Sequence, residues 1–142
     1  MPIVQGQTTL FKANILSGLE NFTLTSPYTY KIALYNGNAN LDNTTTAYTS
    51  TNEVVGPGYT AGGQALTISN PPTQDTTNNT AYISFNNVSW SGSLSANGAL
   101  VYNSTTGAAC FILNFGSTIT SSNTFTVTFP TATSTTAVLT IN

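Results

Sequence analysis

Histidine and arginine are both missing from this 142-residue chain, and cysteine occurs once. Without histidine there is no Ser-His-Asp triad, no Cys-His pair and no side chain that titrates by default near neutrality. Without arginine there is no planar cationic clamp for a carboxylate or phosphate. Charge of either sign is scarce: Lys12, Lys31, Glu20, Asp42, Glu53 and Asp75 are all there is, 4% of the chain where about 25% is usual. Two lysines cannot neutralise a row of phosphates, so nucleic acid is excluded as a partner.

The lone Cys110 allows no internal disulfide and no multi-cysteine zinc site. It sits in the apolar run AACFILNF and reads as a small buried thiol. No D-x-D-x-D-G loop is present, so neither a metal nor a cofactor is expected, although Asp75 among threonines and asparagines could join an irregular calcium site. No apolar run approaches the roughly 20 residues of a membrane-crossing helix. The opening MPIVQGQTTLFKANIL lacks the basic and apolar regions of a secretory signal, and synthesis and retention in a cytoplasm are expected.

What is present is neutral and polar. Threonine, asparagine and serine number 28, 17 and 14, beside 39% hydrophobic residues and a net charge of −2. Disordered chains combine low hydrophobicity with high net charge, so this one should fold. A surface of hydroxyls and amides lacks the repulsion that keeps copies apart and the lysines that blunt sheet edges, which permits close packing against neighbours.

Along the chain, Thr8 to Gly18 reads as a short helix, with Thr8 as N-cap, Phe11 and Ile15 on one face and Gly18 ending it. The period then falls to two. In YTYKIALY, Tyr28, Tyr30, Ile32 and Leu34 alternate with Thr29, Lys31 and Ala33, the pattern of a half-buried strand. NGNANLDNTTTAYTSTNE is loop-like, anchored by Leu41 and Tyr48. Further strands are expected in QALTISN, TAYISFN, VSWSGSLS, GALVYN, AACFILNF, TFTVTFP and AVLTIN. Seven or eight short strands separated by turn residues predict an all-β fold, an antiparallel β-sandwich or jelly-roll-like barrel with a short N-terminal helix. Residues 8–142 should form that single domain and residues 1–7 an extended N-terminal arm.

The stretch EVVGPGYTAGGQAL, Glu53 to Leu66, invites a phosphate-loop reading and fails it. Gly56, Gly58, Gly62 and Gly63 do not give the spacing G-x-G-x-x-G, no helix follows and the segment holds no lysine. Consecutive turns with Tyr59 as an anchor fit better. Two of Glu20, Asp42, Glu53 and Asp75 could in principle pair as glycosidase carboxylates. Carboxylates in such loops more often bond local backbone amides, which is expected of Asp42 and Glu53. Trp90, beside Val88 on one strand face, either fills the core or offers a platform for stacking a sugar ring, and alternation favours the core.

The segments YKIALYNGNANLDNTTTAYTSTNEVVGPGYTAGG, SANGALVYNSTTGAACFILNFGS and NTFTVTFPTATSTTAVLTIN together resemble a family of small virion structural proteins of tailed bacteriophages. The most specific elements are K-I-A-L-Y, E-V-x-G-x-G-Y-T-A-G-G, G-A-L-V-Y-N and F-x-V-x-F-P-T-A. Family members usually carry a charged residue before G-A-L, where this chain has Asn97. The resemblance implies a non-enzymatic decoration or cement protein on the capsid surface, with no catalytic residues. The rival is a tail- or fibre-associated component, or a carbohydrate- or receptor-binding module reading sugars through Trp90. Implied partners are the major capsid protein and neighbouring copies, a homo-oligomer with a trimer suiting local three-fold positions. The uncharged arm residues Pro2, Ile3, Val4 and Gln5 are candidates for adding a strand to a neighbour.

Overall fold

A computed structural model describes residues 2–142 of the chain. Its one helix, α1 (Thr9–Leu16), is set by its two ends. The Thr8 hydroxyl accepts the Phe11 N–H at 3.0 Å and donates to the Ala109 carbonyl at 3.1 Å, so a single buried side chain both caps the helix and docks it on the sheet. At the other end Gly18 has φ +73°. The N–H of Leu19 bonds the Asn14 carbonyl at 2.8 Å and that of Gly18 the Ile15 carbonyl at 3.2 Å. Both bonds of a Schellman closure are thus made. Among the described residues no helix is long and apolar enough to cross a membrane.

Everything else of regular structure is antiparallel strand. One layer is a five-stranded sheet in the order β1 (Gly6–Gln7), β8 (Ala109–Thr120), β7 (Ser95–Asn103), β2 (Tyr30–Tyr35), β3 (Gln64–Ala65). Facing it are a three-stranded sheet, β10 (Leu139–Ile141), β5 (Thr80–Phe85), β4 (Ile68–Asp75), and the ribbon β6 (Val88–Ser91) with β9 (Thr124–Val127). The fold is the expected all-β sandwich. Between the layers lies the main core, built by Phe11 from the helix, Ile32, Leu34 and Val101 from the large sheet, and Ile83, Phe85, Trp90, Phe125 and Leu139 from the opposite side.

The large sheet also has a second covered face. Ala33 and Tyr35 of β2, Leu100 and Tyr102 of β7, and Ile112 of β8 pack beneath Ile3, Ala39 and Leu41. The half-buried strand expected at β2 is therefore corrected: Ile32, Ala33, Leu34 and Tyr35 are all fully buried, the two parities facing two different cores. A strand buried on both faces loses its polar face, and the unbroken apolar run I-A-L-Y is the trace of it.

The covering layer on that face includes the N-terminal segment, expected as an extended arm for strand addition to a neighbour. Met1 lies outside the described residues. Residues 2–7 are extended, but along their own domain. Ile3 is buried and bridges Leu41 in parallel, Val4 N–H bonds the Leu41 carbonyl at 2.8 Å, and Asn114 Nδ2 donates to the Ile3 carbonyl at 2.9 Å. The Gln5 Oε1 accepts the Asn114 N–H at 3.0 Å, and Gly6–Gln7 pairs with Ile112–Phe111. The edge of β8 and an apolar socket lie within the arm's reach in its own chain, so Pro2, Ile3, Val4 and Gln5 are spent there.

Two expected strands divide. In QALTISN, Gln64–Ala65 pairs with β2 while Ile68 pairs with Phe85, so the chain passes between layers at Leu66 and Thr67. VSWSGSLS contributes β6 and the start of β7, separated at Gly92. β4 runs through Pro71 and Pro72 with two register shifts, which an edge strand tolerates because its outer N–H groups have no ladder to serve. Truncating the Ile3 side chain should open a void in the second core. We expect Ile3→Ala to lower unfolding stability by about 2 kcal/mol in urea denaturation; an unchanged midpoint would show the segment undocked in solution.

Candidate functional site

The glycine-rich stretch turns out to be pressed against the sandwich. Gly63, at φ +77°, would place a Cβ 1.8 Å from the Ile32 carbonyl oxygen, and Gly58, at φ +81°, would place one 1.7 Å from that of Ser91. Only glycine fits either position. The segment thereby closes over the edge of β2, and what it brings there is a carboxylate.

Glu53 is 6% exposed. Its Oε1 accepts the Tyr48 hydroxyl at 2.5 Å, and its Oε2 accepts the Tyr59 hydroxyl at 2.6 Å and the Gly62 N–H at 2.7 Å. Its backbone bridges Tyr35, and the next residue donates from Val54 N–H to the Leu34 carbonyl at 2.9 Å. The Tyr59 oxygen in turn accepts the Leu34 N–H at 2.9 Å, filling a place in the ladder that β3 does not reach. Tyr102 donates to the Gly62 carbonyl at 2.7 Å and stacks on Tyr48 with ring centroids 4.8 Å apart. A buried carboxylate is thus held by hydroxyls and one amide, with no cation in the set. The local amide bond expected of Glu53 is present through Gly62, but two tyrosines complete the site.

Glu20 is the centre of a second network. Its Oε1 accepts the Tyr30 hydroxyl at 3.0 Å and Asn103 Nδ2 at 2.9 Å; its Oε2 has only Asn14 Nδ2 at 3.4 Å and the Cys110 thiol at 3.9 Å. Asn103, fully buried, turns its other face to the chain, its Oδ1 accepting the N–H groups of Thr105 and Thr106. This cluster was not legible, since Glu20 and Asn103 are 83 positions apart and no motif joins them. Cys110 is buried as expected. Burial first, and the Glu20 charge second, push its thiol far above the ordinary range.

The remaining carboxylates serve turns. Asp42 accepts the N–H and hydroxyl of Thr44, which lower its pKa. Asp75 is drawn down to about 2 by Ser134 first and then by Asn78. Glu20 and Glu53 each answer to their own donors.

The glycan-stacking role offered for Trp90 is corrected. The ring is 2% exposed, tilted against Tyr59 at 5.9 Å and edge-on to Phe125 at 6.3 Å, and no sugar can reach its face. Its Nε1 has no hydrogen-bond partner among the described residues.

Two open clefts flank β10. One, about 630 Å³, lies between α1, β1 and β10; the other, about 300 Å³, lies between the 18–23 segment and β5. Both are lined by Ile15, Leu139 and Ile141. Leu16, which lines the larger cleft, is 90% exposed, and Ile141, which lines both, is 51% exposed. No known protein family, curated protein or solved structure matches the chain.

Burial raises the pKa of Tyr30, Tyr35, Tyr48 and Tyr59 well above the ordinary phenol, with Glu53 adding to the effect on Tyr59 and Tyr48 and Glu20 on Tyr30. The folded-state values exceed the unfolded one of about 10, so the stability that neutral phenols confer is complete below that pH and is lost as pH climbs past it. Ultraviolet titration should show these four ionising only as the chain unfolds; their reversible titration in the folded chain at the ordinary phenol value of about 10 would contradict the networks. Glu53→Ala leaves two hydroxyls and an amide without an acceptor and should cost about 3 kcal/mol in denaturant unfolding, whereas Glu53→Gln should cost less.

Proposed function

We propose that the protein is a non-enzymatic structural component of a tailed-bacteriophage virion, a decoration or cement protein that binds the assembled head and stabilises it. The observation that carries this reading is where the family-like segments lie. K-I-A-L-Y is β2, G-A-L-V-Y-N forms the end of β7, and F-x-V-x-F-P-T-A begins in β9. E-V-x-G-x-G-Y-T-A-G-G is the segment that closes the sheet edge through Glu53. All four are scaffold. What the resemblance shares is therefore a way of building a sandwich, with its polar chemistry consumed inside the domain.

The outer surface supports the same reading. With six charged side chains in all, copies meet neighbours without electrostatic repulsion, and many weak contacts at the high local concentration of a shell add to durable attachment. The partners are the major capsid protein and neighbouring copies, as a homo-oligomer, with a trimer suiting local three-fold positions. The protein is made in the host cytoplasm and ends on the capsid surface. Since residues 2–7 are docked on their own domain, attachment uses the folded surface rather than a free arm.

Mass spectrometry of purified virions of the encoding phage should detect the chain in many copies per particle, and cryo-microscopy should place the sandwich on the head. Density at the tail or fibre would move it to that rival role, and absence from particles would refute the proposal.

A further inference from the structure

Of the four acidic side chains, Asp42 and Asp75 are engaged by turn donors at the surface, and Glu53 is saturated by three donors no longer than 2.7 Å. Glu20 differs from all of them. It is half-buried, every donor around it is neutral, and its two oxygens are unequally served. Oε1 has two good hydrogen bonds, while Oε2 has one long amide contact and a thiol. Taking a carboxylate out of water on one side without a cation leaves a negative potential that neutral donors only partly quench.

Glu20 lines the smaller cleft. Ile15, Ile83, Leu139 and Ile141 give the space of about 300 Å³ a mostly apolar wall, and Asn21, Thr23 and Glu20 are the polar side chains that line it. A mostly apolar cleft that includes a carboxylate met only by neutral donors is complementary to a cation on an aliphatic stem, the stem lying along the walls and the head near the charge. The unequal oxygens also discriminate between cations. A guanidinium fork needs both oxygens of its carboxylate, and Oε1 is already taken by Tyr30 and Asn103, whereas a compact ammonium needs only Oε2.

We propose that this cleft is a receptor for a primary ammonium group on an aliphatic stem, presented as a lysine side chain by a partner polypeptide, with Glu20 as its counter-charge. The inference goes beyond the virion reading and does not require it. A chain with two lysines and no arginine has little to offer the site itself, so the cation comes from a partner richer in charge.

The test follows the methyl resonances of Ile15, Ile83 and Ile141 in the intact protein at neutral pH, titrated with hexylamine, hexan-1-ol and hexanoate. Hexylamine should bind about tenfold more tightly than hexan-1-ol, the worth of one charge-assisted hydrogen bond, and hexanoate more weakly than either. Glu20→Gln should abolish the preference for the amine. Equal binding of amine and alcohol by the native protein would overturn the proposal, and that comparison decides even if the variant fails to fold. A preference that survives Glu20→Gln would also overturn it. A second arm compares the acetylated, amidated pentapeptide Thr-Val-Lys-Val-Thr with its norleucine analogue. Tighter binding of the lysine peptide is expected, and no difference, with hexylamine still preferred, would refute a polypeptide source in favour of a free amine.

Discussion

A buried negative charge with no positive charge to meet it sets the terms of this fold. Glu53 is taken out of water in a chain that has two lysines, and its solvation is replaced by two phenols and a backbone N–H. Each donor ties down a different part of the chain: Tyr48 the long loop after β2, Tyr59 the middle of the glycine-rich segment, Gly62 its return to the sheet. Because Tyr59 also serves the Leu34 N–H, the network substitutes for a missing stretch of edge strand. Neutral donors can hold a carboxylate only if several converge. The close approach of Gly63 to β2 helps to make that convergence possible.

The same poverty of charge reappears at the sheet edges. Proteins commonly blunt an edge with lysine. Here the outer strand β4 carries Pro71 and Pro72 and two register shifts, and the free side of β8 has its Asn114 and Gly116 N–H groups taken by the side chains of Gln5 and Asn114. Prolines, bulges and amides thus supply protection without charge. A surface protected in this way discourages open-ended strand pairing while leaving neutral faces free to pack.

Much of the architecture was legible because local rules and global packing agreed. Thr8 and Gly18 mark the helix ends by cap chemistry, and Phe125 and Val127 alternate with threonines in a ribbon with one wet face. Legibility stopped where burial came from distant chain. The second core depends on Ile3 and Leu41 arriving from irregular segments, so no period in β2 announced it. The run I-A-L-Y did carry a trace, since a strand wet on one face would have interrupted it. β8 extends to Thr120 past Gly116 because pairing with β7 continues where the apolar pattern has ended. The carboxylate sites were the least legible, for their donors are tyrosines and amides, residues common enough here that no spacing distinguishes them.

If the Glu53 network is what joins the glycine-rich segment to the sheet, its one backbone donor should behave like part of the sheet. Native-state hydrogen exchange at Gly62 reads this directly, because the amide lies in a loop and bonds a side chain. Protection of the Gly62 N–H comparable to that of Leu34 in β2, lost together with it under mild denaturant, is the predicted result. Exchange at Gly62 at the rate of an open loop while β2 stays protected would contradict the account.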